Sequence, residues 1–131
     1  MILETLIMCS LVFNSPFFDC SDHWTLYVMD KVDGNVGMIF DTGHANINQN
    51  LLEYFKKVAQ HIIAYHVHDN DGYKDQHSIP GTGTINWQEI INEVFCTNND
   101  VIFIFEVKDD GIDGAITAKK YIENIIVDGG R

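Results

Sequence analysis

Basic residues are scarce in this chain. Eight Lys and Arg stand against 19 Asp and Glu, for a formal net charge of −11. Such a balance repels phosphate backbones and anionic membrane surfaces, so nucleic-acid binding starts with a penalty. Divalent cations held by clustered carboxylates would offset part of that charge. Cysteine is scarce too. Cys9, Cys20 and Cys96 are odd in number, widely spaced and without a CxxC pair. They read as reduced thiols of a cytoplasmic protein rather than a disulfide framework. No apolar run approaches the length of a membrane span. The opening MILETLIMCSLVF has the apolarity of a signal peptide, but no Lys or Arg precedes it and Glu4 interrupts it, and both features argue against export.

What is present is one modest core's worth of apolar residues, 46% of 131. They fall into alternating strand and helix patterns. Ile2 to Ile7 is a short apolar run broken by Glu4, and residues 8–21 read as a loop with Ser15-Pro16 as its turn signal. Asp22 to Val32 reads as a helix, and Val36 to Phe40 as a strand that ends in Asp41. Asn50, with Glu53 three residues on, caps a helix whose apolar stripe is Leu51, Phe55, Val58 and Ala59. Ile62 to His68 is strand-like, and 69–84 is a polar, glycine-bearing loop. Asn86 and Glu89 open a further helix with Ile90, Ile91, Val94 and Phe95. Val101 to Phe105 is a fully apolar strand, as in a buried parallel sheet. Asp113 caps a last helix, with Ile116, Tyr121, Ile122 and Ile125 on or near its buried face. These four β-α units predict an α/β fold with a parallel sheet in a single domain over 1–131. A complete (β/α)8 barrel needs roughly 250 residues, so four units amount to about half of one.

Chemistry-bearing residues gather where the strands should stop. Glu4, Asp41, His66 and Glu106 lie at or near the ends of successive strands, positions that converge at the C-terminal face of a barrel. One such Glu is ordinarily a solvated or salt-bridged carboxylate, and one such His is ordinarily structural. One per strand, in register, is the pattern of a divalent-metal site, and this donor set suits Mn²⁺, Mg²⁺, Co²⁺ or Zn²⁺. His44, Asp75 and His77 form a possible second cluster, for another metal or for substrate hydroxyls. The DxH spacing sets Asp75 and His77 on one side of an extended segment. His68, two residues from His66, would face the same way and is a less certain member. Gly81 and Gly83 in IPGTGTINW suit a loop that approaches a ligand closely, with Trp87 packing beneath. His23 and His61 read as surface residues, and Phe13, Phe17 and Phe18 as loop packing or a substrate wall.

As an ordered set, ILETL, FDTGH, HVHDND, DQH, PGTGTINW and FIFEV resemble the C-terminal half of the xylose-isomerase-like TIM-barrel superfamily, from Ile2 to about Val107. That superfamily holds sugar and sugar-phosphate isomerases and epimerases and the type IV apurinic endonucleases. The resemblance implies that Glu4, Asp41, His66 and Glu106 are ligands of a single metal, with Glu4 and Glu106 also moving protons. His66 fits the H-x-x-D pattern that Asp69 completes. His44, Asp75 and His77 match residues that hold an additional zinc in the endonuclease branch. That branch also draws two histidine ligands from the first barrel half, which has no counterpart here.

The expected function is a metal-dependent sugar or sugar-phosphate isomerase or epimerase acting on a small sugar. The alternatives are a zinc-dependent nuclease of the apurinic-site type and an inactive truncated remnant. A half-barrel exposes two sheet edges and an apolar interior, so a homo-oligomer, or a partner that supplies the other half, is expected.

Overall fold

The computed structural model describes residues 6–9, 26–27, 30–31, 36–47, 51–97 and 100–129. Glu4, the Ser15-Pro16 turn, the Phe13, Phe17 and Phe18 group, His23 and Asn50 lie outside the described residues. Of the helix expected over Asp22 to Val32, residues 26–27 and 30–31 are described, and they are helical.

The elements follow in the order β1 (Leu6–Cys9), β2 (Val36–Asp41), α1 (Thr42–Ile47), α2 (Leu51–Val58), a 3₁₀ turn (Ala59–His61), β3 (Ile62–Val67), α3 (Trp87–Thr97), β4 (Ile102–Phe105) and α4 (Gly111–Gly129). All neighbouring strands are parallel, in the order β1-β2-β3-β4. The result is about half of a (β/α)8 barrel, with β1 and β4 as sheet edges among the described residues. No helix among them is long and apolar enough to cross a membrane.

Of the Ile2–Ile7 run, Leu6 and Ile7 are described and lie in β1, which continues through Met8 and Cys9, two residues expected in a loop. Leu6 pairs with Val36 and Cys9 with Ile39. α1 was not foreseen: it begins directly after Asp41, so the DTGH segment turns from strand to helix without a loop.

The core lies between the sheet and its helices. Phe40 of β2 packs edge-on against Phe55 of α2 at 5.5 Å, and Tyr65 of β3 reaches Phe103 of β4 at 5.4 Å. α3 presents Trp87, Ile90, Ile91 and Val94 to this core, the one-sided spacing of an amphipathic helix. Its capping pair forms as expected: Asn86 Oδ1 accepts from the Glu89 amide at 3.4 Å, and Asn86 Nδ2 donates to Glu89 Oε2 at 3.3 Å.

Four expectations need correction. β4 is apolar throughout but only partly buried, and on one face. Phe103 and Phe105 pack on the core, whereas Ile102 is 62% and Ile104 40% exposed. Among the described residues, helices cover just one face of the sheet, and the opposite face is the one that a closed barrel turns inward. In α4 the buried positions are Gly114, Ala118 and Ile122, while Ile116 and Tyr121 are exposed. Ile116 lies two residues from both Gly114 and Ala118, about 200° round the helix. Tyr121 instead lies against Gly81, where an added Cβ would meet its ring at 2.5 Å. Asp113 sits inside the first turn of α4, which starts at Gly111, rather than capping it. His61 is half-buried, with Gln60 Nε2 3.2 Å from its Nε2.

Candidate metal centre

Parallel pairing brings three of the expected donors together. Asp41, the last residue of β2, pairs with His66, and His66 pairs with Ile104, so Glu106 follows one residue beyond the end of β4. The Glu106 amide continues the ladder by donating to the Val67 carbonyl at 3.2 Å. His66 Nδ1 lies 3.3 Å from Glu106 Oε2 and 3.6 Å from Asp41 Oδ2. Ligands about 2.0–2.2 Å from one cation sit roughly 3–4 Å from each other, so these side chains are spaced as a group that could hold a divalent ion. Asp41 is buried, His66 largely so, and Glu106 lies on the open side. Glu4 lies outside the described residues, and the nearest described register places Leu6 beside Val36, five residues before Asp41.

The second expected cluster also assembles. Asp75 bridges His44 and His77, with Oδ2 3.3 Å from His44 Nε2 and Oδ1 3.1 Å from His77 Nε2. His77 takes a left-handed backbone, φ 53°, and its Nδ1 lies 2.7 Å from the Glu106 carbonyl oxygen. A carbonyl can only accept, so Nδ1 is the donor there. The Nε2 lone pair of a neutral His77 then faces a carboxylate oxygen, an arrangement that calls for a cation or a second proton between them. His44 is placed similarly between two carboxylates, with Nδ1 3.0 Å from Asp41 Oδ2.

The electrostatics follow from these contacts. The bond to Asp41 raises the His44 pKa above its ordinary value. Burial opposes this, and the charges of Asp41 and Asp75 add to it. For Asp41, burial alone acts upward, but bonds from His44 and His68 outweigh it and hold the carboxyl well below the usual carboxylate range.

His68 does not stand beside His66 as an equivalent donor. It is fully buried, with Nε2 2.9 Å from Asp41 Oδ1, and its ring stacks on His77 at 3.9 Å and 2°. Asp69 is structural. Its carboxylate accepts from the amides of Asn70, Gly81 and Ile85 and from Trp87 Nε1, pinning the 69–85 loop. Trp87 therefore bonds the loop as well as packing under it. Gly81 takes φ 89°, and a Cβ at Gly83 would strike Asp69 Oδ1 at 2.2 Å, so both glycines serve loop closure here.

Thr42 and Asn70 went unnoticed in the sequence. Thr42 Oγ1 lies 3.1 Å from the His66 carbonyl and 2.9 Å from that of His68, and Asn70 Nδ2 donates to the Gly43 carbonyl at 2.7 Å. Both sit inside the DTGH and HVHDN motifs, which was the available signal.

A parallel half-barrel whose strand ends carry carboxylate and imidazole groups that could hold a metal ion is a scaffold of the TIM-barrel class. Residues 9–125 match the family model described as xylose isomerase-like TIM barrel, and the chain belongs to that family. It is 34% identical over 104 residues to an uncharacterized protein of Methanocaldococcus jannaschii, a match over 75% of this chain and 36% of that one. An uncharacterized protein of Sinorhizobium fredii is 34% identical over 76 residues, covering 57% of this chain and 24% of the relative. Among solved structures, a D-tagatose 3-epimerase-like protein superposes with a TM-score of 0.70 at 32% identity, over 81% of this chain and 40% of that chain. A candidate xylose isomerase from Rhodospirillum rubrum superposes at 0.60 with 16% identity, over 94% and 46% of the two chains, and shows the shared fold. The chain thus spans less than half the length of each of these relatives.

Proposed function

We propose that this chain carries the metal-binding half of a sugar or sugar-phosphate isomerase or epimerase. The observation that carries this reading is the Asp41, His66 and Glu106 group, with contacts of 3.3 and 3.6 Å at the C-terminal ends of parallel strands. The likeness to the D-tagatose 3-epimerase-like protein points the same way. Asp41, His66 and Glu106 would hold one divalent cation, Mn²⁺, Mg²⁺, Co²⁺ or Zn²⁺. When bound, the ion supplies an electrophile that polarises a sugar carbonyl and acidifies the adjacent C–H.

The chain's own residues would do the rest. Glu106, exposed on the open side, takes the proton from the carbon beside the carbonyl. Glu4 is the second proton-transfer carboxylate and metal ligand in this reading, a role that rests on the ILETL motif alone. His44, held between Asp41 and Asp75, binds substrate oxygens. Cysteine usage supports a cytoplasmic setting. The exposed apolar face of Ile63, Ile102 and Ile104 supports a further set of β/α units closing over the site.

A second reading, a zinc-dependent hydrolase of the apurinic-site type, draws on the assembled His44, Asp75 and His77 cluster. The net charge of −11 opposes a DNA substrate.

The test is solvent-deuterium incorporation into a panel of ketoses and ketose phosphates with each of the four metals, run beside cleavage of an abasic duplex. Metal-dependent deuteration that disappears in Glu106→Gln supports the first reading. Duplex cleavage without deuteration supports the second. Neither activity, with metal retained, marks a remnant that binds an ion but does not turn over.

A further inference from the structure

His68 touches a member of each cluster, Asp41 and His77, and its ring also falls in a group with His77 and Glu106 that could hold an ion. It is fully buried. Its Nε2 and the His44 amide both lie 2.9 Å from Asp41 Oδ1, while Asp41 Oδ2 faces His44 and His66. One carboxylate oxygen is thus occupied by donors, and the other is left toward the centre. The ring face lies flat on His77, whose Nε2 meets Asp75.

The surroundings hold His68 in this pose. Thr42 Oγ1 contacts its backbone amide at 3.2 Å and its carbonyl at 2.9 Å. Gly43 lies under the ring, where an added Cβ would sit 2.0 Å from Cε1 and 2.3 Å from Nδ1. That close packing leaves Nδ1 buried without a hydrogen-bond partner. A neutral ring with Nε2–H aimed at Asp41 and a bare Nδ1 against Gly43 satisfies this environment, since a buried Nδ1–H would need an acceptor.

We infer that His68 is a positioning residue for both clusters, its Nε2–H fixing Asp41 so that Oδ2 alone is presented to the cation, and its ring face fixing His77. The inference rests on the reading of Asp41, His66 and Glu106 as the cation site. Groups that orient a metal ligand commonly change affinity about 10–100-fold when removed.

Two substitutions separate the two functions. His68→Phe keeps a ring for His77 but has no donor for Asp41. His68→Gln keeps an amide donor but has no ring. Co²⁺ titration followed by its visible absorption reads affinity and coordination geometry together, without turnover. His68→Phe is expected to weaken the first ion about tenfold and alter its bands. His68→Gln is expected to leave the first ion near wild type and weaken a second ion about tenfold. Gly43→Ala, which replaces no candidate ligand, displaces the ring and should combine both effects, the His68→Phe change at the first ion and the His68→Gln weakening of the second. Wild-type titrations in all three variants would overturn the proposal.

A measurement on the unaltered, metal-free protein stands beside these in case the variants do not fold. Imidazole ¹⁵N shifts should show His68 as the Nε2–H tautomer, and the Nδ1–H tautomer would overturn the proposal. Wild-type protein that takes up no Co²⁺ would overturn the cation-site reading instead, and the tautomer would still decide the Asp41 contact.

Discussion

Trp87 donates its indole N–H to Asp69 Oδ2 at 2.8 Å, and both residues are buried. This bond ties the first residue of α3 to the segment that leaves β3, and it closes the base of the loop bearing Asp75 and His77. The other Asp69 bonds, from Asn70, Gly81 and Ile85, draw the same loop onto one carboxylate.

Asp69→Ala should therefore cost about 3 kcal/mol, because it leaves several buried donors without an acceptor. Trp87→Phe keeps most of the packing and loses one charge-assisted bond, for about 1.5 kcal/mol. Urea unfolding followed by far-UV circular dichroism ranks the two. A larger loss in Trp87→Phe than in Asp69→Ala would contradict the hub role of Asp69.

The Asp41–His44 pair sets a pH window for the metal-free protein. The folded state lowers the Asp41 pKa, so that contribution is complete above the ordinary value of 3.8 and is lost as pH falls below it. It raises the His44 pKa, so that contribution is complete below 6.5 and is lost as pH climbs past it. The melting temperature should be highest between these values and fall on both sides. His44→Gln should flatten the alkaline limb and, because the His44 bond also lowers the Asp41 pKa, shrink the acid limb to the part that His68 supports. An alkaline limb unchanged in that variant would remove His44 as its source.

His77 combines a left-handed backbone with a proposed ligand role, and substitution can separate the two. Asn tolerates positive φ where Ala pays about 1 kcal/mol of strain. His77→Asn should keep stability within about 1 kcal/mol of wild type yet lose a second bound zinc, measured by elemental analysis after dialysis. Retention of two ions would exclude His77 as a ligand.

The isoleucines on the open face are exposed, so they contribute little to the fold of the described units. Ile102→Asp should shift stability by about 0.5 kcal/mol or less. It should also abolish concentration-dependent association in sedimentation velocity, if this face is where further β/α units dock. Association unchanged in Ile102→Asp would place the contact elsewhere.

Much of this arrangement was legible because it is local. The apolar run up to Phe40 announces a strand that ends at Asp41. The Asn86 and Glu89 pair announces α3, and the strand-end pattern of Asp41, His66 and Glu106 anticipates a group that parallel pairing then brings together. What was not legible depends on which surface meets which. Ile102 and Ile104 read as core because nothing in an apolar run states that one face of the sheet lacks a cover. Ile116 and Tyr121 read as buried because α4 is apolar on more than one side, and only the small residues Gly114 and Ala118 mark where it comes close. His68 read as a spare donor because its partner, Asp41, is 27 residues away, and its stack on His77 needs the loop's left-handed turn.

Two of the three members of the second cluster, Asp75 and His77, ride on one loop, and that loop hangs chiefly from Asp69, while His77 meets the backbone rather than the side chain of Glu106. Of the first cluster, Asp41 and His66 sit on the sheet itself, and Glu106 follows one residue beyond β4. Descent could therefore rewrite the loop, gaining or losing a second ion, while the sheet-borne centre passes on unchanged. In such a scaffold one- and two-ion chemistries are a loop exchange apart.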